Sequence, residues 1–388
     1  MNEREVSLQQ RAQPLRIVEV GWYHFFFNAA PAQTEFIWAA PKPSPVKSAK
    51  LGPLTLIRTW LKMRRGECDL LVIHVPQYAA WHPRSFLTAL REWHIRSPLG
   101  LFSTLGLRII HWFHSVPIVA IDLSDSCLIG PHNYFALKSC KAFFKRELPS
   151  DNWVVFCKSS YPNFPGRRWR SKRSSVAMVQ KLKPISYGAP TITYGVLPVP
   201  AEMPSPEKTA DIFFAGAISG NSSVRAAGIT ELKALAAQGY VVDIPEGRLP
   251  TQEYLTRMGK AWLAWSPAGL GWDCARHYEA PLVGTVPLMN VPPTLRDAPL
   301  CDGEHCVFYE PEPGGLVQAA RRALADKQRL RRMARAAGQH VARHHTVQAR
   351  AERVTMAVLG RMLDGRQADV ALPAEPGDAA SVDVHRVG

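Results

Sequence analysis

Residues 266–289 read SPAGLGWDCARHYEAPLVGTVPLM, and this stretch decides the fold. An apolar run, 261–265, leads into it and is expected to be a strand. Gly269 and Gly271 then make a turn, and a helix is expected over 274–283. The start of a helix behind a glycine turn offers free N–H groups and a positive dipole end, which suits an anion such as a diphosphate. Arg276 and Glu279 are three apart and share one helix face. A cation for phosphate beside a carboxylate for ribose hydroxyls is suitable chemistry for a nucleotide diphosphate. Gly284 closes the helix, and the next strand follows at 286–289.

Working outward, the same alternation fills the second half of the chain. A strand at 211–216 (DIFFAG) runs into Gly, Ser and Asn. Helices are expected at 224–238 and 251–258, and strands at 240–244 and 306–309. Helices at 315–325, 327–344 and 348–363 complete this half. The first half shows the rhythm too. Strands are expected at 15–20, 34–39, 69–75, 107–112, 118–122 and 153–157, with helices near 54–65, 83–95 and 134–147. The run DLLVIHV at 69–75 is almost wholly apolar, as a strand buried on both faces must be. Strand–helix alternation in both halves predicts two Rossmann-like α/β domains and a set of C-terminal helices. The expected divisions are a flexible N-terminus (1–14), a first Rossmann-like domain (15–200) and a proline-rich linker (201–210). A second Rossmann-like domain (211–345), a C-terminal helix (346–363) and a disordered tail (364–388) follow.

The pattern Arg276-x-x-Glu279-Ala280-x-x-x-Gly284-x-x-Pro287 resembles the donor-binding motif of GT-B glycosyltransferases. More narrowly it is similar to the bacterial group 1, spore-maturation-like and exostosin-like branches, where an arginine, an aromatic residue (here Tyr278) and a glutamate precede alanine and a later glycine. The resemblance extends over about 211–345 and includes Phe213-Phe214-Ala215-Gly216 with Arg225 downstream. It implies two domains facing a cleft, a nucleotide-diphosphate sugar as co-substrate and no other cofactor. It also implies a ribose-binding role for Glu279, with Arg276, Arg225, Gly216 and the amides of the Gly271 turn on the phosphates. Retaining members often carry a further Glu eight positions before the ribose Glu. Here that position is Gly271, and Asp273 is either its stand-in or a charge complementing the helix dipole. A weaker likeness touches Asp122-x-x-Asp125 and residues 144–149 (FKRELP).

A base for the acceptor hydroxyl is sought at the carboxyl ends of first-domain strands, where open α/β sheets bind ligands. His24, His114, Asp122 and Asp125 lie there. A histidine titrates near working pH. The competing reading for each aspartate is a turn residue bonded to its own backbone, and for His24 a packed aromatic neighbour. The aspartates lack Asp-x-Asp spacing and His111 and His114 fall on strand and loop, so no metal is expected.

The net charge of +15 is concentrated. Residues 158–183 hold eight basic and no acidic side chains, and 321–353 hold ten basic and two acidic, so the rest is near neutral. A wholly basic, histone-like protein is excluded. Arg167, Arg168, Arg170 and Arg173 around Trp169 are expected to meet a polyanion or an anionic membrane. Seven cysteines with no Cys-x-x-Cys pair argue against a disulfide framework or a zinc knuckle. No apolar leader or spanning run is seen. The reading is therefore a cytoplasmic glycosyltransferase, at times peripheral on the inner membrane face, with a saccharide or lipid-linked acceptor in polysaccharide or lipopolysaccharide assembly. Two alternatives are a nucleic-acid-modifying glycosyltransferase and a non-catalytic binder of nucleotide sugar or polyanion.

Overall fold

A computed structural model describes residues 13–39, 48–75, 116–130, 133–157, 175–189, 204–218 and 222–366. The chain forms two parallel sheets. The first contains β1 (Ile17–Gly21), β2 (Thr34–Trp38), β3 (Ala49–Lys50), β4 (Leu70–His74), β5 (Ile118–Asp122), β6 (Ala142–Lys145) and β7 (Leu182–Pro184), in the order β3-β2-β1-β4-β5-β6-β7. The second contains β8 (Ala210–Phe213), β9 (Val242–Asp243), β10 (Ala261–Trp265), β11 (Val286–Asn290) and β12 (Val307–Tyr309), in the order β12-β11-β10-β8-β9. The helices are α1 (Phe26–Ala29), α2 (Pro53–Arg64), α3 (Tyr134–Ser139), α4 (Val176–Val179), α5 (Ser223–Ala237), α6 (Thr251–Gly259), α7 (Arg276–Leu282), α8 (Gly315–Leu324), α9 (Lys327–His344) and α10 (Val347–Leu359).

Apolar strands buried on both faces explain this architecture. β1, β4 and β5 are buried at every position, which only a sheet covered on both sides allows. The strand order reverses beside β1 in the first sheet, where β4 follows on the far side from β2. In the second it reverses beside β8, where β10 follows on the far side from β9. Such switch points open a crevice at the carboxyl ends of the strands. α10 crosses back, and its Val347, Ala351, Val354 and Val358 pack into the first sheet's core with Phe25, Phe26 and Leu70. The C-terminal helix therefore buries its apolar face on the first sheet.

Two first-half expectations are corrected. Residues 142–145, read as the end of a helix over 134–147, form β6. The helix stops at Ser139 and the chain turns extended at Cys140. Residues 153–157, read as a strand, lie largely in a 3-10 helix, Asn152–Phe156, whose start is capped by Asp151 accepting from the Trp153 amide. Short apolar runs carry no period long enough to separate strand from helix. β7 forms the sheet edge within the basic, proline-containing stretch. The expected helix at 83–95 and strand at 107–112 lie outside the described residues, as do 190–203 and most of the tail.

The two sheets meet along a polar seam. The Leu295 amide donates to the Leu148 carbonyl (2.7 Å), and the Ala189 amide to the His345 carbonyl (3.0 Å). The Tyr187 amide donates to Asp273 Oδ2.

Candidate functional site

The site grows from two strand–helix turns at the second switch point. After β8 the chain passes Gly216 and enters α5, where Ser222 caps the helix by accepting from the Arg225 amide. After β10 it makes the glycine turn, closed by the Gly269 amide on the Gly271 carbonyl (2.8 Å). The Ala268 amide on Asn290 Oδ1 (2.8 Å) ties the turn to β11. The glycines have a purpose that sequence alone did not reveal: each leaves room for a charged side chain. A Cβ on Gly216 would stand 2.9 Å from Arg276 Nη2, and one on Gly269 would stand 2.6 Å from Arg225 Nη2. A Cβ on Gly271 would collide with the carboxylate of Glu147.

A cavity of about 810 Å³ opens between these turns, lined by Phe214, Gly216, Arg225, Tyr254, Cys274, Arg276 and Glu279 and by the 244–249 loop. Arg276 rests over the Phe214 ring, 5.2 Å to the centroid, and donates to the Ala215 carbonyl (2.6 Å). Among the described residues its Nε and Nη1 have no partner, and neither has Arg225 Nε. Burial, and then the charge of Arg276, lower the Arg225 pKa. Two guanidinium groups thus face one cavity with unused donors, an arrangement that favours an anion. Glu279 is buried and accepts from the Tyr254 hydroxyl (2.7 Å). Burial raises its pKa, partly offset by that bond and by Arg276. Its carboxylate provides acceptors for hydroxyl groups beside the cations.

Of the expected donor residues, the structure gathers Gly216, Arg225, Arg276 and Glu279 at the cavity. Gly271, Asp273 and Tyr278 are not among its lining residues. Tyr278 donates to Asp273 Oδ1 (2.7 Å), and its ring lies tilted against that of His345, 4.7 Å between centroids. Burial alone would raise the Asp273 pKa, but His277, Tyr278 and the Tyr187 amide hold it below the ordinary value. Asp273 is thus the hub of the seam beneath α7.

Glu147 is the residue that sequence reasoning passed over. It lies just beyond β6, yet its carboxylate accepts from the Trp272 amide (3.1 Å) and the Asp273 amide (2.9 Å). The amides expected to hold a diphosphate therefore already hold an anion, supplied from the first sheet. Burial pushes the Glu147 pKa up to about 7, with Arg146 opposing. Its only sequence signal is its place in FKRELP. Cys274, which lines the cavity, is the second such residue. Burial would raise its thiol pKa, but buried His277 one turn on brings it down, while Cys274 and Asp273 raise that of His277.

The expected bases are scattered. His24 is buried between Phe36 (4.1 Å between centroids), Trp38 and Phe27, with no partner for Nε2 among the described residues, and burial lowers its pKa. Asp122 is buried against Lys145 Nζ (2.8 Å) and accepts from the Ser124 amide (3.0 Å). Asp125 is exposed and pairs with Arg146, which also approaches Glu147 (3.5 Å). His114 and the arginines 167, 168, 170 and 173 lie outside the described residues. Cys301, Glu304 and His305 bring three metal-type ligand atoms within 4.8 Å of one another. His305 Nδ1 there accepts from the Cys301 amide (3.2 Å), and none of the three lines the cavity.

Residues 247–355, which hold Tyr254, Arg276 and Glu279, match the glycosyl transferase-like family. The structure of HepE from Anabaena in complex with UDP superposes with a TM-score of 0.50 at 11% identity, over 88% of this chain and 99% of that one. The fold is that of GT-B glycosyltransferases. A glycosyltransferase from Rickettsia africae matches at 9% identity over 89% of this chain and 97% of that one (TM-score 0.49). Sucrose-phosphate synthase from Thermosynechococcus elongatus matches at 13% over 88% and 98% (TM-score 0.45). A comparison with curated proteins finds no significant match. Among the described residues no helix is long and apolar enough to cross a membrane.

Proposed function

We propose that the protein moves a sugar from a nucleotide-diphosphate sugar to a hydroxyl of a saccharide or lipid-linked acceptor, in the assembly of cell-surface polysaccharide or lipopolysaccharide. The observation that carries this reading is the pair of under-partnered guanidinium groups, Arg225 and Arg276, across one cavity from buried Glu279. The arginines would hold the diphosphate and Glu279 the ribose hydroxyls. As the acceptor oxygen attacks the anomeric carbon, charge grows on the leaving diphosphate, and fixed cations there favour the transition state. The match of 247–355 to a glycosyl transferase-like family and the fold shared with a UDP-bound protein support the same donor class. Among the expected bases that lie in the described residues, Asp125 is the exposed one beside the seam and is our choice for the acceptor side.

Calorimetry with UDP and a panel of nucleotide sugars tests this. A nucleotide should bind, and Glu279→Ala should weaken it by about 1.5–3 kcal/mol, the usual worth of hydrogen bonds to a charged group. Unchanged affinity in that variant would remove Glu279 from the site.

A further inference from the structure

Cys274 stands where the glycine turn runs into α7, half-buried on the wall of the cavity. Its Sγ lies 3.3 Å from Ser266 Oγ. The neighbour that sets its chemistry is His277, one turn on and 1% exposed. His277 Nε2 bonds the Ser266 carbonyl (3.1 Å), which turns Nδ1 toward Asp273 Oδ1 (3.7 Å) and the thiol. Among the described residues Nδ1 has no hydrogen-bond partner of good geometry. A buried imidazole with a spare nitrogen therefore sits between a carboxylate and a sulfur that opens on the cavity.

Burial alone would raise the Cys274 pKa, but the charge of His277, its hydrogen bonding and the charge of Arg276 bring it down. Burial would lower that of His277, and Cys274 and Asp273 raise it. The pair thus favours thiolate beside imidazolium. Thiolate is the reactive form of cysteine, and an ordinary thiol carries little of it near neutral pH. Burial acts the other way on Cys68, Cys127, Cys140 and Cys306, whose pKa values it raises, and so keeps them as thiols. A low-pKa cysteine reached from solvent through a cavity is the kind that peroxides oxidise.

We propose that Cys274 is a site of reversible oxidation by a hydroperoxide, and that the oxidised side chain shuts the donor cavity. The thiolate sulfur attacks the terminal peroxide oxygen. An S–O bond forms, the O–O bond breaks, and His277 Nδ1 gives its proton to the departing hydroxide or alkoxide. Sulfur gives up two electrons to the peroxide, leaving a sulfenic acid and water or an alcohol. A small thiol reverses this: one equivalent displaces water to form a mixed disulfide, and a second releases Cys274. The added oxygen takes space on the cavity wall near Arg276, whose charge reaches this sulfur. It offers that guanidinium an acceptor in place of the donor's phosphate. The closure rests on the donor reading above; the oxidation does not.

The test treats the full chain with hydrogen peroxide near neutral pH. Dimedone, which caps sulfenic acids, is added to one portion, and peptide mass spectrometry locates the adduct. Calorimetry reads UDP affinity on untreated, oxidised and dithiothreitol-restored portions. Cys274 should gain the adduct about 10-fold faster than exposed Cys301, from its larger thiolate fraction. Saturating UDP should slow that labelling. Oxidation should lower UDP affinity about 10-fold, the worth of one hydrogen bond to a charged group, and dithiothreitol should restore it. Cys274→Ser, or Cys274→Ala where the serine variant misfolds, should keep through peroxide whatever affinity it starts with. Labelling of Cys301 ahead of Cys274 would overturn the site. Unchanged affinity in fully oxidised wild type would overturn the closure, as would an equal loss in the variant. Untreated wild type that ignores UDP yet labels at Cys274 would sink the donor reading and uphold the oxidation site.

Discussion

The two sheets reverse their strand order at equivalent places, and the two crevices have opposite chemistry. At the first switch point Gly21 leaves room for the His74 side chain. Glu19 then accepts from His74 Nε2 (2.7 Å) and from the amides of Phe25, Phe26 and Phe27 (2.8–3.0 Å). At the second, Gly216 leaves room for Arg276, two of whose nitrogens have no partner among the described residues. The first turn is thus sealed by its own carboxylate, and the second is left open with excess positive charge. One topology supplies both crevices. The placement of a single carboxylate decides which can accept an anion from outside, because a buried set of donors satisfied internally has nothing left to offer.

The sharpest way to break this comparison is Glu19→Ala. It strands two buried amides, a half-buried one and His74, so we expect a loss of roughly 3–5 kcal/mol in stability by thermal or urea unfolding, with nucleotide affinity of the surviving folded fraction unchanged. A small loss would mean that the first turn is not held by that carboxylate.

Arg276→Ala asks the reverse question. Binding of UDP by calorimetry should weaken by about 3 kcal/mol, close to two charge-assisted bonds. Stability should hold or rise slightly, since Arg225 loses a like-charged neighbour. A variant that loses stability while its folded fraction binds UDP normally would show that Arg276 is a structural cation.

Glu147 sharpens the comparison, since it treats the second turn partly as Glu19 treats the first. Burial raises its pKa to about 7, above the ordinary carboxyl value of 4.5. Its contribution to stability is therefore complete below that unfolded value and is lost as pH rises through about 7. Between about pH 5 and 8 this amounts to roughly 2 kcal/mol by linkage. Glu147→Gln, still an acceptor but without a titrating proton, should flatten the melting temperature over that interval. An equally steep profile in the variant would assign the titration elsewhere.

The smallest effect concerns Cys274 on the cavity wall. With its pKa lowered beside His277, it should react with iodoacetamide faster near neutral pH than an ordinary thiol, and bound UDP should protect it. His277→Gln should slow that reaction several-fold by removing the stabilising cation. Equal rates with and without UDP would place the thiol outside the donor's reach.

Much of the second half was legible in residues 266–289. A glycine turn, a helix with Arg276 and Glu279 on one face, and a following strand are local signals, and the structure reproduces them within a residue or two. The first half read less well. Residues 142–145 and 153–157 exchanged roles because a four- or five-residue apolar run fits either element, and only the sheet's need for a partner beside β5 chose β6. The site divides the same way. Arg225, Arg276 and Glu279 announce themselves by type and spacing. Glu147 stands 124 positions before Gly271 and gave no signal beyond its place in FKRELP, because its role exists only when the two sheets meet.

The sequence by itself determined the strand–helix alternation, the anion-suited turn and the concentration of charge, since each follows from residues within a turn or two of one another. Only the tertiary structure decided which glycine makes room for which charge, that Asp122 is consumed by Lys145, and that one crevice is sealed and the other open. These depend on contacts across tens to more than a hundred residues of chain. Whether a polar group has spare donors or acceptors is set by everything that reaches it in space.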